Sequence, residues 1–93
     1  MTGDPVADVV ASTTEARDTL DLLTTRQLEV LVLMAEGRSN AGIAAHLHLS
    51  EKAVVQHTSR VYDMFDLPID STINRRVLAV VRFLAAASVR RDR

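Results

Sequence analysis

A chain of 93 residues is the size of one small domain, which buries a modest share of its surface and relies on good helix packing or a second subunit. It has no cysteine, which excludes disulfides, thiolate metal sites and a cysteine nucleophile. Its net charge is −1, so composition alone does not announce a nucleic-acid binder.

The charge is unevenly spread. Residues 1–23 carry five acids (Asp4, Asp8, Glu15, Asp18, Asp21) against Arg17, a net −4, whereas the remaining ten bases and seven acids give the rest +3. A mildly basic body behind an acidic leader is a weak sign of an anionic partner. The 47% hydrophobic and 3% aromatic content argues for an aliphatic core rather than disorder. No basic-then-apolar signal peptide opens the chain, and its apolar stretches are short and interrupted by arginine, so a cytoplasmic location without a membrane partner is expected.

Residues 1–21 hold Gly3, Pro5, small polar residues and most of the acids. They read as a flexible leader or linker, with at most one apolar turn at Val6, Val9 and Val10. Residues 22–90 read as the domain and 91–93 as a frayed end. Thr24-Thr25-Arg26-Gln27 fits a capping box, flanked by Leu23 and Leu28 at hydrophobic-staple positions. The first predicted helix follows, with Val30, Leu31, Met34 and Ala35 inward, and stops at Gly37. Ser39 caps a second helix with Ile43, Ala44 and Leu47 as its apolar face. His48 and Leu49 make a turn, and Ser50 caps a third helix of about residues 51–65, with Leu49 and Val54 as its staple. Two capped helices about three residues apart have helix-turn-helix spacing. Pro68 is expected to end the third helix, and Asp70 or Ser71 to cap a fourth of about residues 73–89.

Plotted at about 100° per residue, the third helix divides. Val54, His57, Thr58, Val61, Met64 and Phe65 fall in one sector and are expected to face a core. Lys52, Val55, Gln56, Ser59, Arg60 and Asp63 fall opposite, presenting groups that touch phosphates and base edges. The fourth helix carries two apolar stripes. Ile73, Val77, Val80, Val81 and Leu84 are expected to pack inward. Leu78, Ala85 and Val89, with Arg82, are expected to meet a partner copy.

The run LTTRQLEVLVLMAEGRSNAGIAAHLHLSEKAVVQHTSRVYDMFDL resembles the LuxR-type DNA-binding domain, a four-helix module also named GerE-like. The shared pattern is LT-x-R, E-V-L-x-L-x-A-x-G, S-N-x-x-I-A and L-S-E-K-x-V-x-x-H in register, continuing to NRRVLAVVRFL at about Leu84. That ending looks like the actinobacterial response-regulator branch. The resemblance implies a sequence-specific transcription factor that dimerises through its fourth helix and docks its third in the major groove. Many such proteins carry a receiver or ligand-binding domain ahead of this one. Ninety-three residues hold neither, so a solitary regulator, a truncated one or an excised domain is expected; GDPVADVVAS looks like the segment joining a receiver to this domain.

By position, Lys52, Val55, Gln56 and Ser59 match the DNA-facing residues of the family. Three residues depart from its pattern. Val55 stands where a basic or amide residue is common, Ala53 replaces a frequent threonine, and Gln27 replaces glutamate while keeping the capping box. A valine at 55 can touch a thymine methyl, and Gln56 can pair with adenine N6 and N7.

The reading is therefore an all-α, four-helix bundle-like domain with a central helix-turn-helix, binding double-stranded promoter DNA as a homodimer. Its DNA contacts are Ser50, Lys52, Val55, Gln56, His57, Ser59 and Arg60, of which Arg60 has Asp63 as a competing ion-pair partner. Ordinary solvated roles compete for each of these surface residues. Three histidines without cysteine or a suitably spaced carboxylate do not make a metal site. No glycine-rich phosphate loop or nucleophile elbow occurs, so neither an enzyme nor a small-molecule substrate or cofactor is expected. Arg75 and Arg76 open the fourth helix, where cations oppose the helix dipole; they read as solvated, or as contacts for the DNA backbone or an acidic partner. A second reading is a protein-interaction module that pairs with a full-length regulator or with RNA polymerase.

Overall fold

The computed structural model describes residues 15–91, with side chains as far as Ser88. Among the described residues the secondary structure is entirely helical: α1 (residues 15–22), α2 (Thr25–Ala35), α3 (Asn40–Leu47), α4 (Glu51–Met64) and α5 (Arg75–Arg91). The four helices expected from sequence are α2 to α5, and the domain is all-α with α3 and α4 as its helix-turn-helix. Helix α2 packs on α4 and α5, while α3 lies against α4. Val30, Leu31, Ile43, Val54, Val61, Ala79 and Ala86 close the centre completely.

Helix α1 lies inside the stretch expected to be a flexible leader. Ala16 is 1% exposed and Leu20 joins the same core. Ala16, Leu20 and Leu23 recur at i, i+4 and i+7, a helical stripe hidden by the acids around it. Val6, Val9 and Val10 lie outside the described residues, as do the side chains of Val89 and of the terminal Arg-Arg-Asp-Arg.

The starts of α2, α3 and α4 follow from their caps. Thr24 Oγ1 accepts from the Gln27 amide at 3.1 Å while Gln27 Oε1 accepts from the Thr24 amide at 3.0 Å, a complete capping box. Ser39 Oγ accepts from the Gly42 amide at 3.1 Å and Ser50 Oγ from the Ala53 amide at 3.0 Å. The start of α5 differs from expectation. Asn74, rather than Asp70 or Ser71, caps it by accepting from the Val77 amide at 3.1 Å. Asp70 instead folds the preceding loop, accepting from the Thr72 hydroxyl at 2.7 Å and the Thr72 amide at 2.8 Å. Those two donors, the hydroxyl foremost, hold its carboxyl below the ordinary value.

One device ends three helices. Gly37, His48 and Asp66 adopt φ of 85°, 58° and 55°, and the next amides, of Arg38, Leu49 and Leu67, donate back to Leu33, Ala44 and Tyr62 at 3.2, 2.9 and 3.0 Å. This is Schellman-type closure. It stops α4 at Asp66, two residues before Pro68, which follows the stop rather than making it. Gly37 adopts its left-handed conformation freely, whereas His48 and Asp66 carry a Cβ there at an energetic cost. His48→Gly is expected to stabilise the domain by about 0.5–1 kcal/mol, the relieved strain exceeding the added unfolded-state entropy. Thermal unfolding checks this, and a lowered Tm would show that the turn is unstrained.

Helix α5 reverses the expected order of its stripes. Ala79 and Ala86 are fully buried, with Leu78, Val80 and Phe83 packed against the core. Val77, Val81 and Leu84 are 56%, 54% and 51% exposed. At about 100° per residue the exposed three lie within about 40° of the direction opposite Ala79. Alanines let the backbone of α5 come close to its neighbours, and that close approach fixes the rotation of the helix. The larger valines and Leu84 are left outside. Of the expected inward set, only Ile73 and Val80 are even partly buried.

Candidate nucleic-acid interface

Helix α4 is anchored along one side. Val54, Thr58, Val61 and Phe65 are buried, and the Thr58 hydroxyl is satisfied by donating to the Val55 carbonyl at 2.8 Å. Met64, expected with this group, is 39% exposed, because the chain leaves the helix one residue later. His57 is half-buried at the edge of the anchored face.

The opposite side is open. Lys52, Val55, Gln56, Ser59 and Arg60 are all exposed. Among the described residues the four polar members have no hydrogen-bond or ion-pair partner, and Arg60 does not pair with Asp63. Lys52, Gln56 and Ser59 fall within about 40° of the direction opposite Val54, with Val55 and Arg60 on the two flanks. Rotation of the helix is fixed by the buried row, so the open row is presented as a unit. Ser50 Oγ is occupied as the α4 cap by the Ala53 amide, but its hydroxyl can still donate outward. The amides of Glu51 and Lys52 have no intrahelical acceptor and, beside the Lys52 ammonium, suit a phosphate. Glu51 and Asp63, both exposed, limit the positive potential of this face at its two ends. No His, Cys, Asp or Glu cluster suited to a metal occurs among the described residues.

Of the residues expected at a partner interface, none whose side chain is described is exposed. Leu78 packs against the core, and Ala85 is half-buried. Arg82 turns inward, its Nη1 donating to the Phe65 carbonyl at 3.2 Å, and the Val89 side chain lies outside the described residues. The exposed apolar row is Val77, Val81 and Leu84. Nor are Arg75 and Arg76 simply solvated. The Arg75 guanidinium lies over the Tyr62 ring, 4.9 Å from its centre. Arg76 donates from Nη1 to Asn40 Oδ1 at 2.8 Å and from Nη2 to the Arg38 carbonyl at 2.7 Å. No sequence signal marks these contacts, since they join residues up to 38 positions apart.

No helix among the described residues is long and apolar enough to cross a membrane. A profile of the GerE type, described as bacterial regulatory proteins of the luxR family, matches residues 21–68. The chain is also similar to the transcriptional regulatory protein DegU of Brevibacillus brevis, 40% identical over 67 residues. That match covers 72% of this chain and 26% of DegU, so the chain spans about a quarter of the relative's length. With a capped helix-turn-helix and a free outer face on its second helix, the chain belongs to the LuxR family of bacterial regulatory proteins, a family of DNA-binding transcription regulators.

Proposed function

We infer that this chain reads double-stranded promoter DNA, with α4 in the major groove, as a homodimer joined through α5. One observation carries the reading: the outer row of α4 is polar, exposed and unpartnered, on a helix whose inner row is locked into the core. Lys52, Ser50, the first-turn amides, His57 and Arg60 contact phosphates and set the register. Gln56, Ser59 and Val55 face base edges, the amide reading adenine and the valine methyls packing against thymine methyl.

Dimerisation is assigned to Val77, Val81 and Leu84, whose four-then-three spacing is that of a helix-pairing seam. Two cations on the α4 outer face, Lys52 and Arg60, give modest affinity to a single copy, so useful affinity comes from two copies joined. Selection of random double-stranded sequences by the purified chain tests the whole reading. A two-fold symmetric motif is expected. No enrichment at low salt would overturn it in favour of an interaction module that pairs with another regulator or with RNA polymerase.

Within this reading Lys52→Ala weakens binding to all sequences alike and lowers the slope of log affinity against log salt by about one. An unchanged slope in a salt titration would remove Lys52 from the phosphate contacts.

A further inference from the structure

Helix α5 is attached to the helix-turn-helix by arginines rather than by apolar packing alone. Arg75, Arg76 and Arg82 lie within about 60° of the inward direction marked by Ala79, and each reaches a different point. Arg75 covers the Tyr62 ring of α4. Arg76 forks across the start of α3, onto Asn40 Oδ1 and the Arg38 carbonyl. Arg82 closes the far end of α4 at the Phe65 carbonyl. The acceptors are neutral, so these bonds do not serve to cancel charge. Two of the arginines occupy the first turn of α5, where the dipole opposes cations and no acid compensates. The tertiary contacts offset that local penalty.

A guanidinium fork on an amide oxygen and a carbonyl fixes direction as well as distance, which a single ammonium cannot do. The attachments therefore define the angle between the exposed row of α5 and the outer row of α4. In a two-fold dimer that angle determines how far apart, and at what rotation, the two α4 helices reach the DNA. We propose that Arg76, seconded by Arg82, is a positioning residue that sets the half-site spacing this regulator accepts, by locking α5 to the helix-turn-helix. The inference rests on the dimeric DNA-reading function above.

The experiment compares the full chain with Arg76→Lys, Arg82→Lys and the double variant. Each is titrated onto an isolated half-site and onto two-half-site probes whose spacer differs by one or two base pairs from the selected motif. Lysine keeps the charge and the helix but loses the fork. A second route, Asn40→Ala, removes the acceptor instead and leaves Arg76 in place. For the wild type, a two-base-pair change is expected to lower affinity about tenfold or more, since a rigid pair cannot engage both sites. In Arg76→Lys and Asn40→Ala that penalty is expected to fall to about threefold or less, with half-site affinity within about twofold of wild type. A merely structural arginine would lower half-site and paired-site affinity together and leave the spacer profile unchanged. Either an unchanged profile or parallel losses overturns the positioning role alone. A wild type that binds no paired site better than a half-site overturns the dimeric function as well.

Discussion

Val81→Arg is expected to convert the dimer to a monomer in sedimentation and to weaken binding to a two-half-site probe by about 100-fold or more. Half-site binding should change little, and Tm should fall no further than loss of the partner subunit requires. In the isolated subunit Val81 is 54% exposed, between Val77 and Leu84, so an arginine there meets water and costs the fold little. In a two-fold dimer the same position lies at the centre of the seam. An arginine then either loses its hydration or faces its own copy, and both outcomes oppose association. An unchanged sedimenting mass would sink the assignment of this face. Leu78→Arg supplies the contrast. Leu78 packs against the core, so the charge there should lower Tm whether or not a dimer forms, and its effect would say nothing about the interface.

Gln56→Ala should cost about 1–3 kcal/mol at the selected site with little change on random DNA. The buried row of Val54, Thr58 and Val61 fixes the rotation of α4, and the exposed, unpartnered Gln56 amide contributes nothing to it. Truncation therefore removes a reading group without disturbing the frame that holds it. A base pair contacted by this amide should lose its preference while neighbouring positions keep theirs, which repeat selection with the variant would show. Equal losses on selected and random DNA would place Gln56 among the phosphate contacts instead.

The positions of α2, α3 and α4 were legible because their signals are local. Thr24 with Gln27, Ser39 and Ser50 each satisfy an amide three residues away. Gly37 marks the end of α2 through its own conformation. The outer face of α4 was legible for a related reason: a helix with one strongly apolar side has one way to bury it, so Val54, Thr58 and Val61 going in puts Lys52, Gln56 and Ser59 out. Helix α1 is not legible because Ala16 and Leu20 are too sparse a stripe against Glu15, Asp18 and Asp21 in the same helix. Only the assembled core, which Ala16 and Leu20 join, gives that stripe something to cover.

The sequence by itself determined the helix-turn-helix, its caps and the composition of the surface α4 presents, since each depends on interactions within a few residues along one helix. The tertiary structure alone decided the rotation of α5 and the work of its arginines. Two apolar stripes of similar strength leave a helix's phase undetermined until its neighbours take up their distance. Here the close approach allowed by Ala79 and Ala86 sent Leu78 inward and left Val77, Val81 and Leu84 outside. Arg76 reaches Arg38 and Asn40, residues 38 and 36 positions earlier in the chain, so its partners exist only once the helices have packed.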